Sequence, residues 1–377
     1  MKNKVLLGMS GGVDSSVSAI LLQKQGYEVI GCTMKLCQNT KKEDSEKAIL
    51  DAKRVCEKLG IKHYTVDFQK EFDTNVVKPF IKEYQECKTP NPCVECNRFI
   101  KFGYLYNKAK ELGCEYVATG HYARIEYSEK YNQNVLKKAK EEKKDQSYFL
   151  YWIGKEKLNN IIFPLQDYTN KEDIRKIAKE AGLEIAEKKD SQEICFVPEN
   201  DYQKFLTNQK DFKIKSGNII LKNGQVLGKH HGLYKYTIGQ RKGLGISYSE
   251  PLYVIGIDEK NNNIIVGKEE ELYSNTLYAS NVNWLIDIDK TTPLECLAKI
   301  RYRAKEAEAK VYFEENKIKV IFKSNQRAIT PGQSVVFYDK EGILLGGGKI
   351  LIIEKYWYYY HVMLLYFYSN INIRKIN

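Results

Sequence analysis

Gly8-Met9-Ser10-Gly11-Gly12-Val13-Asp14-Ser15-Ser16 stands between a short apolar run, Val5-Leu6-Leu7, and a segment of helical character from about Ser15 to Gln25. In the order strand, glycine-rich turn, helix, backbone amides can approach a phosphate closely. Hydroxyls donate to its oxygens, and the helix N-terminus adds a favourable dipole. The lysine of an ordinary P-loop is absent, and the spacing is not that of a dinucleotide fingerprint. The same residues in a plain tight turn would need no ligand, but strand, motif and helix coincide here.

The pattern continues outward as alternating strands and helices. Gly26 sits where a helix-ending glycine belongs, Val29 to Thr33 reads as a second strand, and a polar helix runs to about Leu59, stopped by Gly60. His63 to Val66 is a third strand, a long helix follows Thr89-Pro90-Asn91-Pro92, and Tyr116 to Thr119 is another buried strand. Lys137 to Lys144 reads as a solvated loop or helix end, and Lys171 to Ala181 as a helix ended by Gly182. This alternation predicts an α/β parallel-sheet nucleotide-binding domain over residues 1–200. Met34 and Gly120-His121 fall at the carboxyl ends of predicted strands, where ligands of such sheets bind. Core packing would account equally well for Met34, and a lone histidine there is more often structural.

Beyond about Asn200 the texture becomes all-β. Asn223-Gly224 between Ile219-Ile220-Leu221 and Val226-Leu227 is a hairpin signal, and alternation recurs at Tyr253 to Ile257, Ala298-Ile300-Tyr302 and Ile318-Val320-Phe322. The reading is two small β-rich modules, residues 201–272 and 273–355, followed by an aromatic tail, 356–377, of unassigned role. The tail is too short and too polar at its ends for a membrane span.

The 377 residues carry a formal charge of +12, with an isoelectric point near 9.0, which favours a polyanionic partner over a merely solvated surface only weakly. The nine cysteines are too irregular for a secreted disulfide scaffold, and no signal-peptide pattern opens the sequence. A cytoplasmic protein with reduced thiols is expected. Cys93-Val94-Glu95-Cys96 lies between two prolines and a helix, whose N-terminus lowers a thiol pKa. That pair suits redox chemistry, metal binding or sulfur transfer without choosing among them. Cys195, in Ser191-Gln192-Glu193-Ile194-Cys195-Phe196, reads by itself as a small buried hydrophobe. Cys32, Cys37, Cys56, Cys87, Cys114 and Cys296 are read as structural.

Ser10 to Ser16 is similar to the pyrophosphatase-type loop of enzymes that cleave ATP to AMP and pyrophosphate. With Thr89-Pro90-Asn91-Pro92, Cys96-Asn97-Arg98, Ile100-Lys101-Phe102, Ala118 to Arg124, Lys144 to Leu150 and Ser191 to Phe196, the chain resembles the bacterial tRNA-specific 2-thiouridylases. The β region adds His231-Gly232, Tyr236 to Leu244, Arg301-Tyr302-Arg303 and Thr330-Pro331-Gly332-Gln333, so the likeness spans about Lys2 to Lys349. It implies a domain of the adenine nucleotide alpha hydrolase type, a central β-rich domain and a C-terminal β-barrel.

The resemblance also implies roles. Gly8, Met9, Ser10, Gly11, Gly12, Val13, Asp14 and Ser15, with Met34 and Gly120, would hold ATP and its Mg2+. Cys195 would carry a persulfide from a sulfur-relay protein or cysteine desulfurase, and Cys96 would attack that persulfide or resolve it as a disulfide. Asn91, Pro92 and Cys93 would face the target base, and His121, Lys144, Asp145, Gln146, Arg301, Tyr302 and Gln333 would touch tRNA. The chemistry is coherent: adenylation makes the uridine C2 oxygen a leaving group, a persulfide attacks, and a second thiol frees the sulfur. The base must first leave the anticodon stack.

Two departures stand out. Many relatives carry Asp where this chain has Cys93, and the tail from Tyr356 lies outside the pattern. Cys93, Cys96 and Cys195 together admit an iron–sulfur cluster as the lesser alternative to the persulfide, and zinc as another. The competing functions are another enzyme with this loop, of the 2-thiocytidine or amidating type, and a non-catalytic RNA-binding module.

Overall fold

β1 (Lys4–Gly8) is an inner strand because Val5, Leu6 and Leu7 are apolar on both faces, and all three are fully buried. The computed structural model describes residues 3–37, 42–187 and 194–351. β1 leads into α1 (Val13–Lys24), which turns at Gly26 (φ +88°) into β2 (Glu28–Lys35). α2 (Lys42–Leu59) ends at Gly60 and delivers β3 (Lys62–Asp67). A helical stretch, 69–85, and a second one, 92–111, precede β4 (Tyr116–Thr119). A hairpin of β5 (Arg124–Ser128) and β6 (Gln133–Lys137) follows, then β7 (Ile161–Ile162). The sheet order is β3-β2-β1-β4-β7, with every pairing parallel.

That order fixes the site. The chain builds outward from β1 to β3, then returns to the other side of β1, so the turns after β1 and β4 part in opposite directions. A crevice opens between them at the carboxyl edge, as it does in open α/β sheets. α1 is buried against the sheet, with Ile174 and Ala178 of the helix Lys171–Glu180 in the same apolar cluster.

The rest is mostly β. β8 (Gly217–Leu221) and β9 (Val226–His230) form the Asn223-Gly224 hairpin, and β10 (Tyr253–Asp258) and β11 (Asn263–Gly267) complete a sheet of order β10-β11-β8-β9. Gly224 takes φ +88°, the left-handed region such a turn requires. β12 (Tyr273–Trp284), β13 (Leu294–Lys299), β14 (Ala307–Phe313), β15 (Ile318–Arg327), β16 (Ser334–Tyr338) and β17 (Leu344–Ile350) close into a barrel. Closure leaves no sheet edge exposed.

Some expectations are corrected. The region after Asn200 is not wholly β, since Tyr202–Thr207 is helical and buries Phe205 and Leu206. Lys137 to Lys144 is not simply a solvated loop: Lys137 ends β6 and bridges to Ile343, and Ala139 is buried. Arg301 lies in a turn beyond the end of β13 rather than in an alternating strand. The tail 356–377, and Lys188 to Glu193 before Cys195, lie outside the described residues.

Candidate active site

The turn after β1 is held from inside by its own hydroxyls. The Ser10 amide donates to Ser15 Oγ (3.2 Å), while Ser15 Oγ and Ser16 Oγ donate to the Gly12 carbonyl (3.1 and 2.9 Å). Gly11 takes φ +68°, and a Cβ there would sit 2.5 Å from the Ala48 carbonyl oxygen. Any side chain would therefore collide with α2. Gly120, at the end of β4, comes so close to the start of α1 that a Cβ would lie 3.1 Å from the Ser15 amide nitrogen. The glycines thus leave a cradle lined by backbone and by the Ser10 and Ser15 hydroxyls, and these donors fit a nucleotide phosphate. Met9 and Val13, by contrast, are buried in the core, Met9 with its sulfur 3.2 Å from Cys56 Sγ. They shape the cradle through their backbone. Met34 is half-buried between two apolar clusters.

Asp14 faces the same crevice and is held from two distant elements. Its carboxylate accepts from Tyr122 OH (2.8 Å) and forms an ion pair with Lys171 (2.7 Å). Neither Tyr122 nor Lys171 is a candidate on sequence grounds, although Tyr122 belongs to the Ala118-to-Arg124 motif. No spacing signal joins two residues 157 positions apart.

The second half of the site is built on the helix 92–111. Pro92 occupies its first turn, where the missing amide costs nothing, and Cys93 follows it. Over Cys96–Tyr104 the helix widens to π geometry, a feature frequent at functional sites. Lys101 on this turn acts electrostatically on Cys93, Cys96 and Cys195, opposing the loss of water around each thiol. Burial wins nonetheless. It pushes the Cys96 thiol up to about 12 and raises Cys93 as well, so the lowered thiol pKa expected from the helix N-terminus is not found. Cys195 is raised well above the ordinary thiol range, first by a hydrogen bond with Cys37 and then by desolvation. Cys93 and Cys195 are exposed as residues and Cys96 is half-buried. All nine cysteines are free thiols.

His121 joins the two halves. It is buried, its Nδ1 pairs with Thr119 Oγ1 (2.8 Å), and its Nε2 lies 3.3 Å from Lys101 Nζ. An ammonium can only donate, so Nε2 accepts and the imidazole is neutral, in line with a pKa held well below its usual value by burial and by Lys101. Gly120 therefore touches the nucleotide cradle while the next residue touches the cation that faces the thiols.

The other expected residues sort by their contacts. Asp145 is buried and accepts from the Ala139 and Ser147 amides and from Ser147 Oγ, so it braces the 139–147 turn instead of presenting a surface. The Gln146 side chain accepts from the Tyr122 amide (3.0 Å), and Lys144 Nζ lies over the Tyr122 ring. Gln333 donates to the Thr89 carbonyl (2.8 Å), and Thr89 Oγ1 meets Thr237 Oγ1 (3.2 Å), which fixes the Asn91-Pro92-Cys93 loop against both β modules. Arg301 donates one guanidinium N–H to the Arg327 carbonyl (2.7 Å), and Tyr302 packs on Phe149 with ring centroids 4.5 Å apart. Among the described residues no group of three His, Cys, Asp or Glu is placed to hold a metal ion. Cys93, Cys96 and Cys195 do not fit a ready-made cluster or zinc site as arranged here. Among the described residues, no helix is long and apolar enough to cross a membrane.

Family models match nearly the whole described chain: a tRNA methyl transferase HUP domain over residues 3–199, a tRNA methyl transferase PRC-barrel domain over 203–268, and an aminomethyltransferase beta-barrel domain over 274–350. Among curated proteins, the tRNA-specific 2-thiouridylase MnmA of Acetivibrio thermocellus is 49% identical, across 92% of this chain and 99% of its own length. MnmA 1 of Caldanaerobacter subterraneus is 51% identical, across 92% and 98%. MnmA of Clostridioides difficile is 48% identical, with the same coverage. The family models speak of methyl transfer and the relatives' names of sulfur, and a cradle for phosphate bordered by free thiols suits the second. By this identity over nearly its full length, the chain belongs to the family of tRNA-specific 2-thiouridylases.

Proposed function

We infer that this protein is a tRNA-uridine 2-sulfurtransferase, which replaces the C2 oxygen of a wobble uridine with sulfur at the expense of ATP. The observation that carries the reading is the junction at Gly120-His121. It sets a phosphate cradle and a group of thiols on one sheet edge, as a reaction that first activates an oxygen and then substitutes sulfur requires. ATP with Mg2+ supplies the adenylyl group that turns the uracil oxygen into a leaving group.

This chain's own residues do the rest. The amides and hydroxyls from Ser10 to Ser15 receive the phosphates, and Asp14, tethered by Tyr122 and Lys171, keeps a carboxylate at their side. Cys195 carries the sulfane sulfur, delivered by a relay protein or a cysteine desulfurase. Lys101 favours its anionic, nucleophilic form. A second thiol then breaks the sulfur–sulfur bond, and Cys96 is the family's expected partner. The Asn91-Pro92-Cys93 loop, held by Gln333 and Thr237, borders the space for the extruded base. A net charge of +12 suits the polyanion, with Arg301, Tyr302 and Lys144 at its side.

The experiment is to incubate the protein with unmodified tRNA, ATP, Mg2+ and polysulfide, then digest the tRNA and analyse its nucleosides by mass spectrometry. The expected product is 2-thiouridine, formed with pyrophosphate. Pyrophosphate without a thiolated nucleoside, or no reaction at all, would overturn the reading.

A further inference from the structure

Glu95 stands between Cys93 and Cys96, and its carboxylate faces a cation that comes from the last module of the chain. Lys349, on β17 of the barrel, sets its ammonium between two acids, 3.7 Å from Glu95 and in closer contact with Glu83 of the helical stretch 69–85. All three side chains are largely shielded, Glu83 at 13%, Glu95 at 19% and Lys349 at 27% exposure. Burial raises the Glu83 carboxyl, Lys349 opposes that rise, and the charge on Glu95 adds to it. Without the ammonium, two shielded carboxylates would repel each other across a gap that water screens poorly. The same turn is held on either side. Before it, the Thr89 amide donates to the Pro331 carbonyl (2.9 Å), and Gln333 donates to the Thr89 carbonyl. After it, Asn97 Nδ2 donates to the Phe149 carbonyl (3.1 Å), and Arg98, 3.9 Å from Glu95, lies over the Trp152 ring at 3.7 Å. Between these two anchors, Lys349 is a charged tie from the barrel to the turn that bears the thiols.

We propose that Lys349 is a positioning residue for sulfur transfer: from the barrel it holds Glu95 beside Glu83, and so fixes the turn that presents Cys93 and Cys96. The assignment rests on the thiolation reading above, and it makes the barrel part of the active-site geometry. The ammonium is engaged by two carboxylates, so Lys349 acts through Glu95. What it sets is where the two thiols stand. A small misplacement of reacting groups is felt in turnover, whereas tRNA affinity is dominated by phosphate contacts made elsewhere. Loss of the tie should therefore lower kcat and leave the binding of tRNA nearly unchanged.

Two measurements on the full chain test this, with Lys349→Met, Lys349→Arg, Glu95→Gln and the double variant Lys349→Met/Glu95→Gln. In the ligand-free protein, hydrogen exchange read by mass spectrometry should quicken at least about tenfold over residues 92–98 in Lys349→Met and Glu95→Gln, while β16 stays protected. With polysulfide, ATP and tRNA, kcat for 2-thiouridine should fall at least about tenfold in both, with the Kd for tRNA within about twofold by filter binding. Lys349→Arg, which keeps the cation, should retain most of the turnover. Because the two residues act as one unit, the double variant should be no slower than the slower single variant. Glu95→Gln leaves the Lys349–Glu83 pair in place, so it reports even if Lys349→Met does not fold. Wild-type kcat and exchange in Glu95→Gln would overturn the proposal. So would a weaker tRNA Kd with unchanged kcat in Lys349→Met, which would make Lys349 a tRNA contact. Absence of 2-thiouridine from wild type and every variant would instead count against the thiolation reading, while hydrogen exchange still decides whether the tie holds the turn.

Discussion

The Lys171 ammonium lies 2.7 and 2.8 Å from the two carboxylate oxygens of Asp14, so a cation from the helix Lys171–Glu180 reaches into a loop that has no lysine of its own. Both side chains are largely shielded, Lys171 at 15% and Asp14 at 30% exposure. The pair therefore orients Asp14 and sets the charge beside the phosphate cradle. Asp14→Ala should abolish thiolation and pyrophosphate release, by at least about a hundredfold, with tRNA affinity nearly intact. Leaving the Lys171 ammonium without that partner should also cost about 1–3 kcal/mol of stability, visible as a lower melting temperature. Equal turnover in Asp14→Ala would place the ATP chemistry elsewhere.

Burial makes Cys96 a poor nucleophile in the ligand-free chain, and Lys101 is the group that opposes it. A raised thiol pKa means that the thiolate fraction keeps growing with pH where an ordinary thiol has levelled off. Iodoacetamide labelling of Cys96 should thus climb about tenfold per pH unit between about pH 7 and 10, with no plateau near the ordinary thiol value of about 8.5. Lys101→Met should slow labelling at each pH, because the thiolate loses its cation, while Lys101→Arg should largely preserve it. A plateau near pH 8.5 would show that solvent reaches the sulfur.

The extent to which this site is legible in the sequence follows chain locality. The cradle is legible because strand, Gly8-to-Ser16 turn and helix are consecutive, and because glycine has few other reasons to recur there. The hairpin at Asn223-Gly224 and the parallel sheet are legible for the same local reasons. The hidden part depends on long-range packing. Lys171 reaches Asp14 across the chain, and Lys101 acts on Cys93, Cys96 and the distant Cys195 together. His121 and Asp145 match a motif, but sequence could not tell that both are buried and braced within the protein.

Arg301 has five N–H donors, of which one binds the Arg327 carbonyl, and it adds its charge to that of the neighbouring Arg327. A phosphate brought there would meet two cations. Arg301→Ala should weaken all tRNAs alike and lower the slope of log affinity against log salt by about one. It should also cost about 1 kcal/mol of stability for the lost carbonyl contact. A filter-binding series across salt concentrations measures the first and a melt the second. An unchanged slope would leave Arg301 as a brace between strands.

The family models end at residue 350, where β17 (Leu344–Ile350) has already closed the barrel. Truncation after Lys355 should therefore leave thiolation within about twofold of the full chain, since the cradle and the closed barrel are both built from residues before that point. A folded truncation product that no longer thiolates tRNA would show that the aromatic stretch takes part.

Cys93 distinguishes a carrier mechanism from a cluster. It is exposed at the start of the helix that bears Cys96, and its raised pKa arises from burial of the sulfur and from Cys195. A cluster on Cys93, Cys96 and Cys195 would need all three sulfurs to close on one point, and among the described residues no group of three such ligands is placed to do so. With the persulfide on Cys195, position 93 needs only to border the base, and an aspartate there is a polar side chain of similar size. Cys93→Asp should therefore stay within about threefold of wild type with polysulfide as donor. Protein purified without oxygen, stripped by chelation and shown by elemental analysis to lack iron, zinc and acid-labile sulfide should thiolate equally well. If stripping abolishes activity, iron with sulfide restores it, and Cys93→Asp loses both the metal and the reaction, then Cys195 is a ligand and the carrier mechanism fails.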